Sequence, residues 1–264
     1  MTPSRLSYAS GPSSAPLLGM TIGDQFDQAC QQYADQDAVI SLHQQVRLTY
    51  RELQQKVDAF ACSLLKLGLH KGDRIGIWSP NCVEWTITQF AAFKAGIILV
   101  NLNPAYKSYE LEYVLNKVSC KALVIASNFK TSNYQEILTQ LAPELTEATD
   151  NVLHASRLPH LRTVIKIDDT VYQGIHRFSD LMPTPSVEQQ QQLQHIAAEL
   201  QFDETINIQF TSGTTGNPKG VVYHHRGAYI NAASNIIACG MTPRATYLWT
   251  LPLFHCNGWC FAWT

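Results

Sequence analysis

The chain has 264 residues, 45% of them apolar, with 19 basic and 21 acidic side chains for a net charge of -2. That is enough for one large core or two smaller ones, and the balanced charge lacks the clustered basic surplus of a nucleic-acid binder. Seven cysteines, an odd number without regular spacing, argue against a disulfide scaffold and for reduced thiols in a cytosol-like compartment.

No apolar run approaches the roughly 18 residues needed to span a bilayer. Residues 1–18 are rich in Ser and Pro, carry Arg5 as their sole charge, and lack the apolar centre of a signal peptide. A cytoplasmic location is expected, with a mitochondrial matrix protein as the alternative.

Residues 21–33 predict a helix, with Ile22, Phe26, Ala29, Cys30 and Tyr33 on one stripe. Residues 38–40 and 46–48 flank a polar turn and predict a hairpin. Thr49 and Glu52 make a capping-box signal. The helix that follows aligns Leu53, Val57, Phe60, Ala61, Leu64 and Leu65 and stops at Gly68. Strands are expected at 74–78, 97–100, 121–126 and 163–167. The helix at 83–95 is apolar around its girth and so buried, and a shorter one at 108–117 turns Leu111, Val114, Leu115 and Val118 inward. Residues 128–150 are polar and lean towards helix. Residues 183–199 combine Pro-Thr-Pro-Ser with a Gln run, a surface connection plus helix and a candidate boundary near 183–203. A strand at 206–210 alternates apolar and polar side chains. Further strands are expected at 221–223 and 246–250, with a helix at 226–238 between them. Strand–helix–strand alternation predicts an α/β fold: a mostly parallel sheet with helices on its faces.

Between two of those strands lies Thr211-Ser212-Gly213-Thr214-Thr215-Gly216-Asn217-Pro218-Lys219-Gly220. Glycines let backbone N–H groups approach anionic oxygens, hydroxyls add donors, and Lys219 adds a point charge. A phosphate-wrapping loop follows from that chemistry; a ligand-free Gly/Thr-rich hairpin is the alternative. The Walker pattern Gly-x-x-x-x-Gly-Lys-Ser/Thr is not met, because Pro218 precedes Lys219 and Gly220 follows it. The dinucleotide-binding glycine spacing fails as well. His224, His225, His255, Cys256 and Cys260 match no zinc spacing.

Residues 210–220 resemble the signature loop of the adenylate-forming (AMP-binding) superfamily. Leu251-Pro252-Leu253-Phe254-His255-Cys256-Asn257-Gly258-Trp259 resembles that superfamily's next motif, and residues 48–53, 72–77 and 95–104 resemble its earlier segments. Within the superfamily the chain is most similar to the medium- to long-chain fatty acid–CoA ligase branch of acyl-CoA synthetases. The resemblance implies ATP, Mg²⁺ and coenzyme A as cofactor or co-substrates, and a fatty acid as substrate. It implies that Thr211, Ser212, Gly213, Thr214, Thr215, Gly216 and Lys219 hold the β- and γ-phosphates, with the Thr211 hydroxyl also near Mg²⁺. It places His255 where carboxylate and α-phosphate meet, and Trp259 at the end of the acyl tunnel.

From the residues alone, His255 reads sooner as a hydrogen-bonded core histidine, and Trp259, Phe261 and Trp263 as either core aromatics or the wall of an acyl tunnel. Because the chain stops in an apolar aromatic run, it is expected to be an incomplete large N-terminal domain of layered, mostly parallel sheets, 1–264, with the C-terminal lid domain and its lysine absent. Weak or no thioester formation by these residues alone is expected in consequence. A non-catalytic nucleotide-binding remnant, and an adenylate-forming enzyme with another acceptor, stand as alternatives.

Overall fold

The structure, a computed structural model, describes residues 19–211, 216–243, 245–261 and 264. Helix α1 (Ile22–Gln32) opens on a reciprocal cap: Asp24 N–H donates to Thr21 Oγ1 at 3.1 Å, and Thr21 N–H donates to Asp24 Oδ2 at 3.2 Å. The hairpin of β1 (Asp37–Ser41) and β2 (Val46–Thr49) leads into α2 (Tyr50–Lys66). The predicted capping box starts that helix, with Thr49 N–H donating to Glu52 Oε2 at 2.8 Å. Next come β3 (Arg74–Trp78), α3 (Val83–Lys94), β4 (Ile98–Asn101), α4 (Ser108–Lys117) and β5 (Ala122–Ile125). A two-residue ribbon, β6 (Asn128–Phe129) and β7 (Ser132–Asn133), and α5 (Tyr134–Leu141) occupy the polar stretch read as helix-leaning. Then follow β8 (Thr163–Lys166), β9 (His176–Arg177), α6 (Val187–Glu199), β10 (Thr205–Thr211), β11 (Lys219–His224), α7 (His225–Cys239) and α8 (Cys256–Trp259).

Seven strands form one sheet in the order β11-β10-β4-β3-β5-β8-β9. Every neighbouring pair is parallel except β10 with the edge strand β11. Because side chains alternate across a strand, Ile75 and Ile77 enter one core and Trp78 the other. The first core is closed by α1, α2, α3, α6 and α7, where Phe26 stacks on Phe90 at 4.2 Å between ring centroids. The second is closed by α4 and α5, where Trp78 stacks on Tyr134 at 3.6 Å. Each fully buried Leu, Ile or Phe side chain contributes about 1.5–3 kcal/mol. Gly76 lets β3 and β5 approach, since a Cβ there would sit 2.9 Å from Leu123 Cδ1.

One charged cluster ties the first helical layer together. The buried Lys94 ammonium donates to Asp27 at 2.7 Å and also pairs with Asp58, joining α3 to α1 and α2. Both carboxylates hold the ammonium charged, against the desolvation that acts on it.

Residues 246–250 are not a strand. A strand needs a neighbour for its row of N–H and C=O groups, and among the described residues none lies alongside. Tyr247 and Leu248 are exposed instead. All seven cysteines are free thiols. Among the described residues no helix is long and apolar enough to cross a membrane.

Candidate functional site

Because β10 is parallel to β4, its C-terminal end lies at the same edge as the C-terminal ends of β3 and β4. In open α/β sheets that edge is where ligands bind. The β10–β11 hairpin sets Thr211 opposite Lys219, so a hydroxyl and an ammonium flank one mouth. Both are exposed, and the Lys219 side chain has no hydrogen-bond or ion-pair partner among the described residues. Gly216 follows with φ +109, a conformation that L side chains rarely adopt. Of the predicted loop positions, Ser212, Gly213, Thr214 and Thr215 lie outside the described residues, as does Trp263.

The second predicted motif folds as a tight turn entering α8. His255 N–H donates to the Pro252 carbonyl at 3.2 Å, and the His255 carbonyl accepts from Gly258 at 3.0 Å and Trp259 at 2.8 Å. Leu253 is buried and accepts at its carbonyl from Asn101 Nδ2, 3.2 Å away. The turn therefore rests on the C-terminal end of β4, beside the strand that feeds the loop. His255 is exposed, with its ring against Phe254 at 4.0 Å, so it is not a core histidine. Trp259 is fully buried against Tyr223 of β11, 5.2 Å between centroids. That contact packs the turn onto the hairpin. Phe261 stacks on Tyr247 at 5.4 Å.

The other histidines have local tasks. His224 Nδ1 accepts from Gly227 N–H at 2.8 Å and caps α7. His225 Nδ1 accepts from Ile22 N–H at 3.0 Å and pins the start of α1 to α7. Burial lowers the His225 pKa to about 4, its neighbour His224 adding to the fall and Glu204 opposing it. Burial, and then Cys256, pushes the Cys260 thiol up to about 11. No group of three His, Cys, Asp or Glu side chains that could hold a metal occurs among the described residues.

What the sequence alone did not reveal is the support of the turn. Asn81, in the loop after β3, and Asn101 and Asn207, on β4 and β10, hydrogen-bond to it or to one another. A polar side chain such as Asn101, ending the otherwise apolar strand β4, was the available signal.

Residues 26–264 match the family described as AMP-binding enzyme. The chain belongs to that family. It is 42% identical over 258 residues to the mitochondrial medium-chain acyl-CoA ligase ACSF2 of Macaca fascicularis, covering 96% of this chain and 42% of the relative. It is 42% identical over 260 residues to its Homo sapiens counterpart, with the same coverage. The chain thus spans about two fifths of the length of these relatives. Among solved structures, a long-chain-fatty-acid-CoA ligase (FadD1) of Archaeoglobus fulgidus aligns with TM-score 0.72 and 21% identity, over 98% of this chain and 47% of that one. The inhibitor-bound N-terminal domain of FACL13 from Mycobacterium tuberculosis aligns with TM-score 0.70 and 22% identity, over 92% and 54%. At those identities the likeness establishes a shared fold.

Proposed function

We propose that the protein is an ATP-dependent fatty acid–CoA ligase. A carboxylate is a poor acyl donor because its leaving group is oxide. In the first step its oxygen attacks the α-phosphorus of ATP in line, the bond to the bridging oxygen breaks, and pyrophosphate leaves with the electron pair. In the second, the thiolate of coenzyme A attacks the acyl carbonyl carbon, the acyl–oxygen bond breaks, and AMP leaves. The protein's part is positioning and charge neutralisation.

Thr211, Ser212, Gly213, Thr214, Thr215, Gly216 and Lys219 hold the β- and γ-phosphates in this reading. His255 donates a hydrogen bond to charge developing at the α-phosphate or carboxylate, which imidazole can do in either protonation state. Trp259 ends the acyl site. Mg²⁺ would neutralise phosphate charge; a hard, strongly hydrated ion held mainly by phosphate and water needs few protein ligands. The exposed Thr211 hydroxyl at the hairpin mouth suits that limited role. The names of the relatives, medium-chain acyl-CoA ligases, favour the medium-chain end of the fatty-acid range and make the mitochondrial matrix a stronger alternative to the cytoplasm.

One observation carries the proposal: an exposed imidazole on a turn fastened to the same sheet edge as the loop-bearing strand. The test is incubation of the full gene product with ATP, Mg²⁺, octanoate and coenzyme A. Formation of octanoyl-CoA, AMP and pyrophosphate is expected, with adenylate formation lost in His255→Ala. Hydrolysis of ATP to ADP, or no turnover with any fatty acid, would rule the proposal out.

A further inference from the structure

Three asparagines from three distant parts of the chain connect in one direction. Asn81 grips the turn at two points: its Nδ2 donates to the Leu251 carbonyl at 2.8 Å, and its Oδ1 accepts from Leu253 N–H at 2.8 Å. Asn101 Nδ2 donates to the Leu253 carbonyl at 3.2 Å. Asn207 Nδ2 donates to Asn101 Oδ1 at 2.8 Å and to the Leu99 carbonyl at 3.0 Å. The backbone partners set the orientation of each amide. A carbonyl only accepts, so Nδ2 must face Leu251 and Leu253; an N–H only donates, so Oδ1 of Asn81 must face Leu253. The Leu99 carbonyl fixes Nδ2 of Asn207 on the side facing Asn101, and since Nδ2 only donates, Asn101 meets it with Oδ1. Asn101 and Asn207 are buried, where each unmade bond is costly and each made bond fixes geometry.

We propose that Asn81, Asn101 and Asn207 are positioning residues that hold the His255 turn in register with β10, and through it with the phosphate loop. None of them touches substrate in this account. They act on the turn two and four residues before His255, at Leu253 and Leu251, which is close enough that slack in the clamp becomes displacement of the imidazole. A purely apolar contact at Leu253 would bury the turn but leave it free to slide along the strand ends. Directional bonds from two sides remove that freedom. The proposal rests on the adenylation reading for its catalytic consequence but not for its structural one.

The test uses the full gene product with Asn81→Ala, Asn81→Asp and Asn101→Ser, plus the double variant Asn81→Ala/Asn101→Ser, in acid-dependent pyrophosphate exchange and in amide hydrogen exchange. Asn81 is only partly buried, so its variants are the ones that fold most readily. Asn81→Ala is expected to lower kcat by up to about 100-fold, the order of loss that misplacement of a reacting group by 1 Å can produce, with the KM for ATP unchanged because the loop itself is untouched. Asn81→Asp keeps the acceptor for Leu253 N–H and loses the donor to Leu251, so it should recover part of the rate. The double variant should be no worse than the poorer single one, since both act through one turn. Exchange at the Leu253 amide should accelerate in the Asn81 variants. An unchanged Leu253 exchange rate, or kcat losses that multiply in the double variant, overturns the inference whatever the activity. Failure of the adenylation reading shows separately, as an Asn81-independent absence of acid-dependent exchange in the parent protein.

Discussion

Gly258 is where the turn has no room. A Cβ built there would overlap the Pro252 carbonyl oxygen, lie 2.6 Å from the Pro252 carbonyl carbon and 3.1 Å from that of Leu251. These are backbone atoms, so no side-chain rotation relieves the overlap, and the segment they belong to is held by Asn81 and by the burial of Leu253. Gly258→Ala must therefore either strain the turn in place or push it off its supports. Overpacking of this kind costs about 1–3 kcal/mol, which for a chain of this size lowers the Tm by roughly 2–12 °C at about 2–4 °C per kcal/mol. If the turn yields instead, stability is spared and His255 moves, so adenylation falls while the melting temperature holds. Thermal unfolding and pyrophosphate exchange on the same preparation separate the two responses. A Gly258→Ala protein with the parent's melting temperature and the parent's rate would refute the packing account of the turn.

Lys94→Met should be destabilising by about 3–5 kcal/mol, because it leaves the Asp27 and Asp58 carboxylates without their cation in a part-buried site; a chemical-denaturation midpoint unchanged from the parent would contradict this. His225 supplies a pH dependence whose sign follows from its lowered pKa. The folded state favours the neutral ring, so its contribution is full above pH 6.5 and is lost as pH falls to about 4, and the difference between those values is worth on the order of 3 kcal/mol. Urea midpoints of the parent should fall across that window more steeply than those of His225→Gln. Trp259→Ala should cost about 3–5 kcal/mol as a fully buried aromatic, and in the proposed ligase it should also shift the preferred acyl chain length. An unchanged ratio of octanoate to palmitate turnover would remove Trp259 from the acyl site.

What local residues dictate could be read without coordinates. The Thr49/Glu52 box starts its helix where expected, because donor and acceptor lie three residues apart and meet as soon as one turn forms. The alternation at Ile206 to Phe210 yields β10, extended by a residue at each end, and the apolar girth of α3 means burial on all sides. Thr211 ends β10 and Lys219 starts β11, so both ends of the Gly/Thr-rich stretch belong to strands. Tertiary structure decided the rest, because pairing is not local. Residues 246–250 carry strand-like side chains yet take part in no strand pairing among the described residues, while His176 and Arg177, only two residues, become β9 because β8 lies alongside. The exposure of His255 is likewise a property of its surroundings. Asn81 meets its partners 170 and 172 positions away, and no periodicity or motif can encode a hydrogen bond whose two ends become neighbours only when the sheet has formed.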